Sequence, residues 1–225
     1  MEIGRLIILG AGGFGQEIVW AVRNLNTMAP RYEVVGYCDD DPAKKGLEIY
    51  GTPVLGRLEE VDQGSREKPR FICAVGNNPD RERIVTRALS AGWLPAAVLD
   101  PSVIVAEHVS VGEGTYIGAG SILSPYARIG RYVIINHHCS IGHNSVLEDF
   151  VQVSPGGRIS GGCRIKAGAS LGSNAVVAPG RSVGRGSTLG ACSFAMIDIP
   201  DHVTAVGTPA RTVLRHASTK DAEKG

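Results

Sequence analysis

From residue 103 onward, apolar positions recur every six residues. Cut at that period the chain reads VIVAEH, VSVGEG, TYIGAG, SILSPY, ARIGRY, VIINHH, CSIGHN, SVLEDF, VQVSPG, GRISGG, CRIKAG, ASLGSN, AVVAPG, RSVGRG, STLGAC. The third place is aliphatic in all fifteen blocks, from Val105 and Val111 to Val183 and Leu189. The first place is mostly small, as at Thr115, Ser121, Ala127, Cys139 and Ser145, and the fourth is glycine in seven blocks. An α-helix repeats every ~3.6 residues and cannot hold this pattern. In a strand, places one and three face the same way. A short strand, a turn and another short strand then wind into a parallel β-helix. Three blocks make a triangular coil, so the fifteen blocks make about five coils.

Residues 5–99 follow a different rule. Leu6–Leu9 is a short apolar run suited to a buried parallel strand, and Gly10-Ala-Gly-Gly-Phe-Gly15 follows at once. Gln16 to Asn26 carries Ile18, Val19, Val22 and Leu25 at helical spacing. Val34–Cys38 and Phe71–Val75 read as further strands, ending in Asp39-Asp40-Asp41-Pro42 and Gly76-Asn77-Asn78. Arg81 to Ala91 reads as a helix with Gly92 just beyond it. Alternating strands and helices imply an open parallel sheet. The expected organisation is a Rossmann-like α/β domain over residues 1–99, a parallel β-helix over 100–217, and a disordered polar tail over 218–225.

Composition narrows the function. Thirty glycines and an aromatic content of 5% suit a thin-walled, regular architecture. The 23 basic and 22 acidic residues leave no basic field for a nucleic acid backbone. Five scattered cysteines without a CxxC pair suggest neither a zinc knuckle nor a disulfide framework, and no metal is expected. They fit a reducing cytoplasm. The start of the chain lacks a secretory leader pattern, and its apolar run is too short to span a membrane.

Gly10, Gly12 and Gly15 form G-x-G-x-x-G between a strand and a helix, where backbone N–H groups and the helix N-terminus suit a phosphate. Asp39 lies 24 residues past Gly15, near the place of a ribose-binding carboxylate, so NAD(P) is one alternative. A 95-residue domain and a β-helix with no role in hydride transfer favour a nucleotide sugar instead. Asp39–Asp41 and Asn77–Asn78 also read as plain turn chemistry.

The six-residue repeat resembles the left-handed β-helix acyltransferases. Joined to Leu9-Gly-Ala-Gly-Gly-Phe-Gly-Gln16, Asp39-Asp40 and Val75-Gly-Asn-Asn78, it is similar to sugar acetyltransferases of the NeuD/PglD type. That resemblance covers about residues 4–213. It implies acetyl-CoA as the acyl donor, and a nucleotide-linked amino sugar or a sialic acid as acceptor. N-acetylation of the amino sugar is the leading reading. O-acetylation of a sugar hydroxyl and a non-catalytic nucleotide-binding module are the alternatives.

The resemblance assigns residues as well. Gly10, Gly12, Gly13, Phe14, Gly15, Asp39, Asp40, Gly76 and Asn77 would meet the nucleotide sugar. His143, fifth in its block and past the inward aliphatic, matches the catalytic histidine as general base. Its eighteen-residue neighbours, Pro125 and Gly161, are compact, so the ring is expected over open space. Where the family carries Asp or Glu after the histidine, this chain has Asn144, which can orient the ring but supplies no charge; either Glu148 or Asp149 substitutes or the enzyme is slower. Gln152 stands where a second histidine is common. His137, one block earlier on a different face, is a further acceptor-site candidate. Gly172, Ser173, Gly190 and Ala191 would leave a groove for pantetheine. Gly207-Thr-Pro209-Ala-Arg211 would meet the rest of CoA, with Arg211 on a phosphate. A homotrimer that buries one flat face of each prism is expected.

Overall fold

The computed structural model describes residues 3–61 and 68–216. The expected tail at 218–225 lies outside the described residues. Two compact units are present, one of Met1–Pro101 with Glu113–Tyr116 and one of Ser102–Gly112 with Ile117–Gly225.

In the first unit, β1 (Gly4–Leu9) runs through the middle of the sheet, with Leu6 to Leu9 buried. α1 (Gly13–Met28) begins inside the glycine run, three residues before the helical pattern in the sequence starts, because the loop glycines form its first turn. It buries Ile18, Val19, Ala21 and Val22. Then follow β2 (Tyr32–Cys38), β3 (Glu48–Ile49), β4 (Thr52–Gly56), α2 (Leu58–Val61), β5 (Arg70–Cys73), α3 (Asn78–Ser90) and β6 (Leu94–Pro95). The sheet order is β3-β4-β2-β1-β5-β6. All its pairings are parallel except β3 with β4, a hairpin with no clear signal in the sequence. The chain goes from β1 outward through β2 to β4 and returns to the other side of β1 at β5. The carboxyl ends of β1, β2 and β5 therefore lie together.

The second unit is a left-handed parallel β-helix built of two-residue strands, each paired in parallel with the strand eighteen residues on, as Ile122–Leu123 with Ser140–Ile141. Third-place residues from Ile117 to Leu189 are all buried. Val105 is 47% exposed because its rung begins the stack and no coil precedes it. First-place serines tie coil to coil. Ser121 Oγ accepts from Cys139 N at 3.1 Å and donates to Asn136 O at 2.8 Å, and Ser145 does the same with Cys163 N and Ser160 O. Each hydroxyl is thus paired twice inside the core, where an unpaired one would cost about 1–3 kcal/mol.

Two features set the corners. At fourth-place Gly112 a Cβ would meet the backbone of Gly130 and Arg131, one coil on, so the close approach of successive coils demands glycine. The sixth place is always left-handed. It is glycine at seven corners, and His108, Tyr126, Tyr132, His138, Asn144, Phe150, Asn174 and Cys192 at the rest, with φ between 55° and 62°. An antiparallel hairpin, Val203–Gly207 with Ala210–Arg215, closes the helix.

Candidate active site

The first unit offers a cavity at the carboxyl ends of β1, β2 and β5, where open α/β sheets take ligands. It measures about 140 Å³ and is lined by Leu9, Gly10, Cys38, Asp39, Val75 and Arg87, among others. The glycines have separate duties. Gly10 has φ 112°, and a Cβ there would press on Ala74 O at 3.2 Å. A Cβ on Gly15 would strike Gly10 O, so α1 can pack against the loop only with glycine. Gly12 and Gly13 have nothing within 4 Å of their missing Cβ, so their side-chain space is open. No side chain caps the helix at Gly12. Phe14 is partly exposed in its first turn.

The acidic residues turn out to hold the site together. Asp39 Oδ2 accepts from Ala11 N at 2.8 Å and from Lys44 Nζ at 2.9 Å, and Oδ1 accepts from Asp41 N at 3.0 Å. Burial alone would raise its pKa; the Lys44 ammonium and the two backbone N–H groups outweigh that and hold it below the usual value. Asp40 is bound bidentately by Arg87, which also grips Glu59. Asn77 caps α3, its side chain accepting from Asp80 N at 3.0 Å. The Val75–Gly76 turn is fixed by Arg81, 1% exposed, which donates to both carbonyls at 3.1 and 3.0 Å. Arg81 carries no motif, and its role cannot be read from the sequence.

In the second unit His143 sits at a corner with its side chain exposed. Its ring lies across Gly161, where a Cβ would be 2.6 Å from Cε1 and 2.8 Å from Cδ2. The expectation of open space is therefore corrected: the ring rests on the next coil, and Gly161 is the residue that lets it. The eighteen-residue period points directly to that partner. Asn144 occupies the left-handed sixth place with φ 60°, its N–H donating to Pro125 O at 3.1 Å. Along this corner the chain stacks Pro125, His143 and Gly161, linked by backbone bonds from Asn144 to Pro125 and from Gly162 to His143.

Neither carboxylate expected to stand in beside His143 does so. Glu148 binds Arg164 at 2.7 Å and Ala167 N at 3.0 Å, and Asp149 binds Arg131 at 2.8 Å. Five and six residues past His143, they belong to the next corner of the prism. Cys139 is buried in the core, and burial pushes its thiol up to about 11, so it remains a neutral thiol.

The remaining residues fall on another corner. His137, Ser173 and Ala191 stack there through bonds from Gly156 N to His137 O, Asn174 N to Pro155 O and Cys192 N to Ser173 O. His137 is half-buried against Gly118. Gly172 is required by the Ala191 backbone, and a Cβ on Gly190 would meet Val206 Cγ1 at 2.7 Å. Gln152 points outward from its strand, half-buried. In the closing hairpin Gly207 has φ 100°, and its N–H donates to Ser193 Oγ at 2.9 Å. Pro209 and Arg211 are exposed there, and the Arg211 guanidinium has no acidic partner among the described residues. Within one chain, then, His143 and the small residues expected to line pantetheine occupy different corners. Among the described residues no group of His, Cys, Asp or Glu could hold a metal, and no helix is long and apolar enough to cross a membrane.

Comparison with known proteins places this geometry. A family model described as the PglD N-terminal domain matches residues 5–88. Among solved structures the chain resembles a histidine-to-asparagine mutant of perosamine N-acetyltransferase from Caulobacter crescentus, in complex with CoA and GDP-perosamine. The two are 27% identical with a TM-score of 0.84, over 94% of this chain and 97% of that one. It resembles equally the acetyltransferase domain of PglB from Neisseria gonorrhoeae in complex with acetyl coenzyme A, at 27% identity and a TM-score of 0.83, over 94% and 100%. WeeI from Acinetobacter baumannii, 24% identical with a TM-score of 0.83 over 92% and 99%, shares the fold. The curated proteins include no match. With a match to the PglD N-terminal domain at its start, a β-helix of six-residue repeats after it and these likenesses along nearly its whole length, the chain is similar to sugar acetyltransferases of the NeuD/PglD type.

Proposed function

We propose that the protein transfers the acetyl group of acetyl-CoA to the amino group of a nucleotide-linked amino sugar, with His143 as general base. The observation that carries this is the His143 imidazole, exposed at a corner and seated on Gly161, with no hydrogen bond to its ring among the described residues. The likeness to an enzyme crystallised with CoA and GDP-perosamine supports amino-sugar N-acetylation.

In the reaction the sugar amine attacks the thioester carbonyl and the imidazole takes its proton. The C–S bond breaks, and the imidazolium returns the proton to the departing CoA thiolate. The side chain of Asn144 makes no hydrogen bond to the ring in the free chain and would fix its tautomer only by turning toward it. The Gly10–Gly15 loop would bind the nucleotide diphosphate, with Asp39, Asp40, Gly76 and Asn77 shaping the pocket beside it. Gln152, Gly172, Ser173, Gly190, Ala191, Gly207, Pro209 and Arg211 would line the CoA groove, and His137 would approach the acceptor.

The separation of His143 from those small residues on two corners supports a homotrimer in which neighbouring prisms complete each other's groove. The free cysteines, four of them buried, fit a reducing cytoplasm.

The test is turnover of acetyl-CoA with GDP-, UDP- and dTDP-linked amino sugars, with products identified by mass spectrometry. An acetyl product stable to mild alkali is the expected amide. An alkali-labile product would mean O-acetylation, and no CoA release with any acceptor would favour a non-catalytic module. Sedimentation as a monomer at micromolar concentration would refute the trimer.

A further inference from the structure

The glycine loop supplies backbone N–H groups but no cation, and Asp39 and Asp40 already crowd the cavity beside it. A nucleoside diphosphate brings further negative charge to that place. A cation with donors to spare would offset that charge; Arg57 also acts on Asp40 but makes no hydrogen bond to it.

Two nearby cations are committed elsewhere. Arg87 is held on two sides, by Asp40 at 2.7 and 3.1 Å and by Glu59 at 2.7 and 3.0 Å. Lys45 pairs with Glu60 at 3.1 Å. Lys44 differs. Its ammonium makes one hydrogen bond among the described residues, 2.9 Å to Asp39 Oδ2, which leaves two of its three donors open. The same oxygen accepts the Ala11 N–H at 2.8 Å, so Lys44 Nζ stands within two hydrogen-bond lengths of the loop backbone. The short turn Pro42–Lys44 that carries it is fixed by Asp41, whose carboxylate accepts from Ala43 N at 3.0 Å and whose carbonyl accepts from Lys44 N at 3.1 Å.

We propose that Lys44 binds the diphosphate of the nucleotide sugar above the Gly10–Gly15 loop, with Asp39 holding the ammonium in position. This rests on the nucleotide-binding reading of that loop. The ammonium keeps its Asp39 bond and gives its open donors to phosphate oxygens, so one carboxylate sets both the loop and its cation. Charge-assisted bonds of this kind also make the site favour diphosphates over uncharged nucleosides.

The test uses the full chain and calorimetric titration with GDP, UDP and dTDP, and with the nucleoside of whichever binds. Lys44→Met is expected to weaken diphosphate binding by about 10–100-fold, the worth of a hydrogen bond to a charged group. Nucleoside binding should hold, and the salt dependence of diphosphate binding should flatten. Lys44→Arg should recover most of the affinity, and Lys45→Met should behave as the parent. In turnover, KM for the nucleotide sugar should rise while kcat and KM for acetyl-CoA stay put. Lys44→Gln replaces Lys44→Met should the latter fail to fold. Parental diphosphate affinity in the variant overturns the proposal, and so does an equal loss for nucleoside and diphosphate, which would mark a purely structural residue. A parent protein that binds none of the three diphosphates overturns the nucleotide reading itself, and this proposal with it.

Discussion

Replacing Gly161 by alanine would place one methyl group where the His143 ring now lies. The new Cβ would be 2.6 Å from Cε1 and 2.8 Å from Cδ2, against an ordinary contact of about 3.5–4.0 Å. The ring therefore has to withdraw by roughly 1 Å, and a reacting group misplaced that far costs on the order of 10²-fold in rate. Stability should barely change. Gly161 is not among the positive-φ residues, and the obstructed group is the free end of an exposed side chain, so the strain should stay below about 1 kcal/mol. Gly142→Ala is the contrasting case. There the Cβ would meet Gly161 N at 2.5 Å, backbone that cannot swing aside, and the expected loss is about 1–3 kcal/mol of stability. The assay is kcat from initial rates of CoA release, with melting curves alongside, in the parent and in a His143→Ala background. Gly161→Ala should lose about 10² in kcat in the parent and nothing further once His143 is gone. Parental kcat in Gly161→Ala, or the same fractional loss in both backgrounds, would refute the role given to this pair.

His143→Ala alone should lower kcat by roughly 10²–10⁴ while leaving acetyl-CoA affinity, measured by calorimetry, near the parental value. Gly12→Val has open space for its side chain and should fold normally yet lose nucleotide binding, whereas Gly15→Ala should lower the melting temperature because its Cβ meets Gly10 O. Asp39 has a depressed pKa in the fold, so its contribution to stability is full above the unfolded value of about 3.9 and is lost as pH falls through the lower folded value. Melting curves between neutral pH and about pH 3 should therefore converge for the parent and Asp39→Asn at the acid end; a constant gap would show that the carboxylate charge is not what counts.

The β-helix was legible because its period is imposed on every coil: the aliphatic third place is a packing requirement repeated fifteen times. The left-handed sixth place was not legible, because the residues there are as different as Gly, Tyr, Phe, His and Cys and share only a backbone angle. The β3–β4 hairpin escaped because two short strands around Tyr50 and Gly51 show little alternation. At the site, His143 stood out by its place in the block. Gly161 was in view but its meaning was inverted, since a compact neighbour reads as room when it is in fact a seat. Glu148 and Asp149 looked near in sequence, yet counting places in the block puts them around the next corner. Arg81 and Lys44 act through single contacts to turns, which leave no periodic mark.

The eighteen-residue step of the β-helix makes the prism a ruler. Each coil advances the stack by about 4.8 Å, the spacing between paired strands. Removing eighteen residues between His143 and the closing hairpin would restore every pairing while bringing Arg211 closer to the imidazole by that one increment along the prism axis. Removing a single residue would instead turn every later aliphatic side chain to the outside. Length in this half of the chain can change only in whole coils or as loops at the corners, so the span from imidazole to guanidinium is set by a whole number of coils.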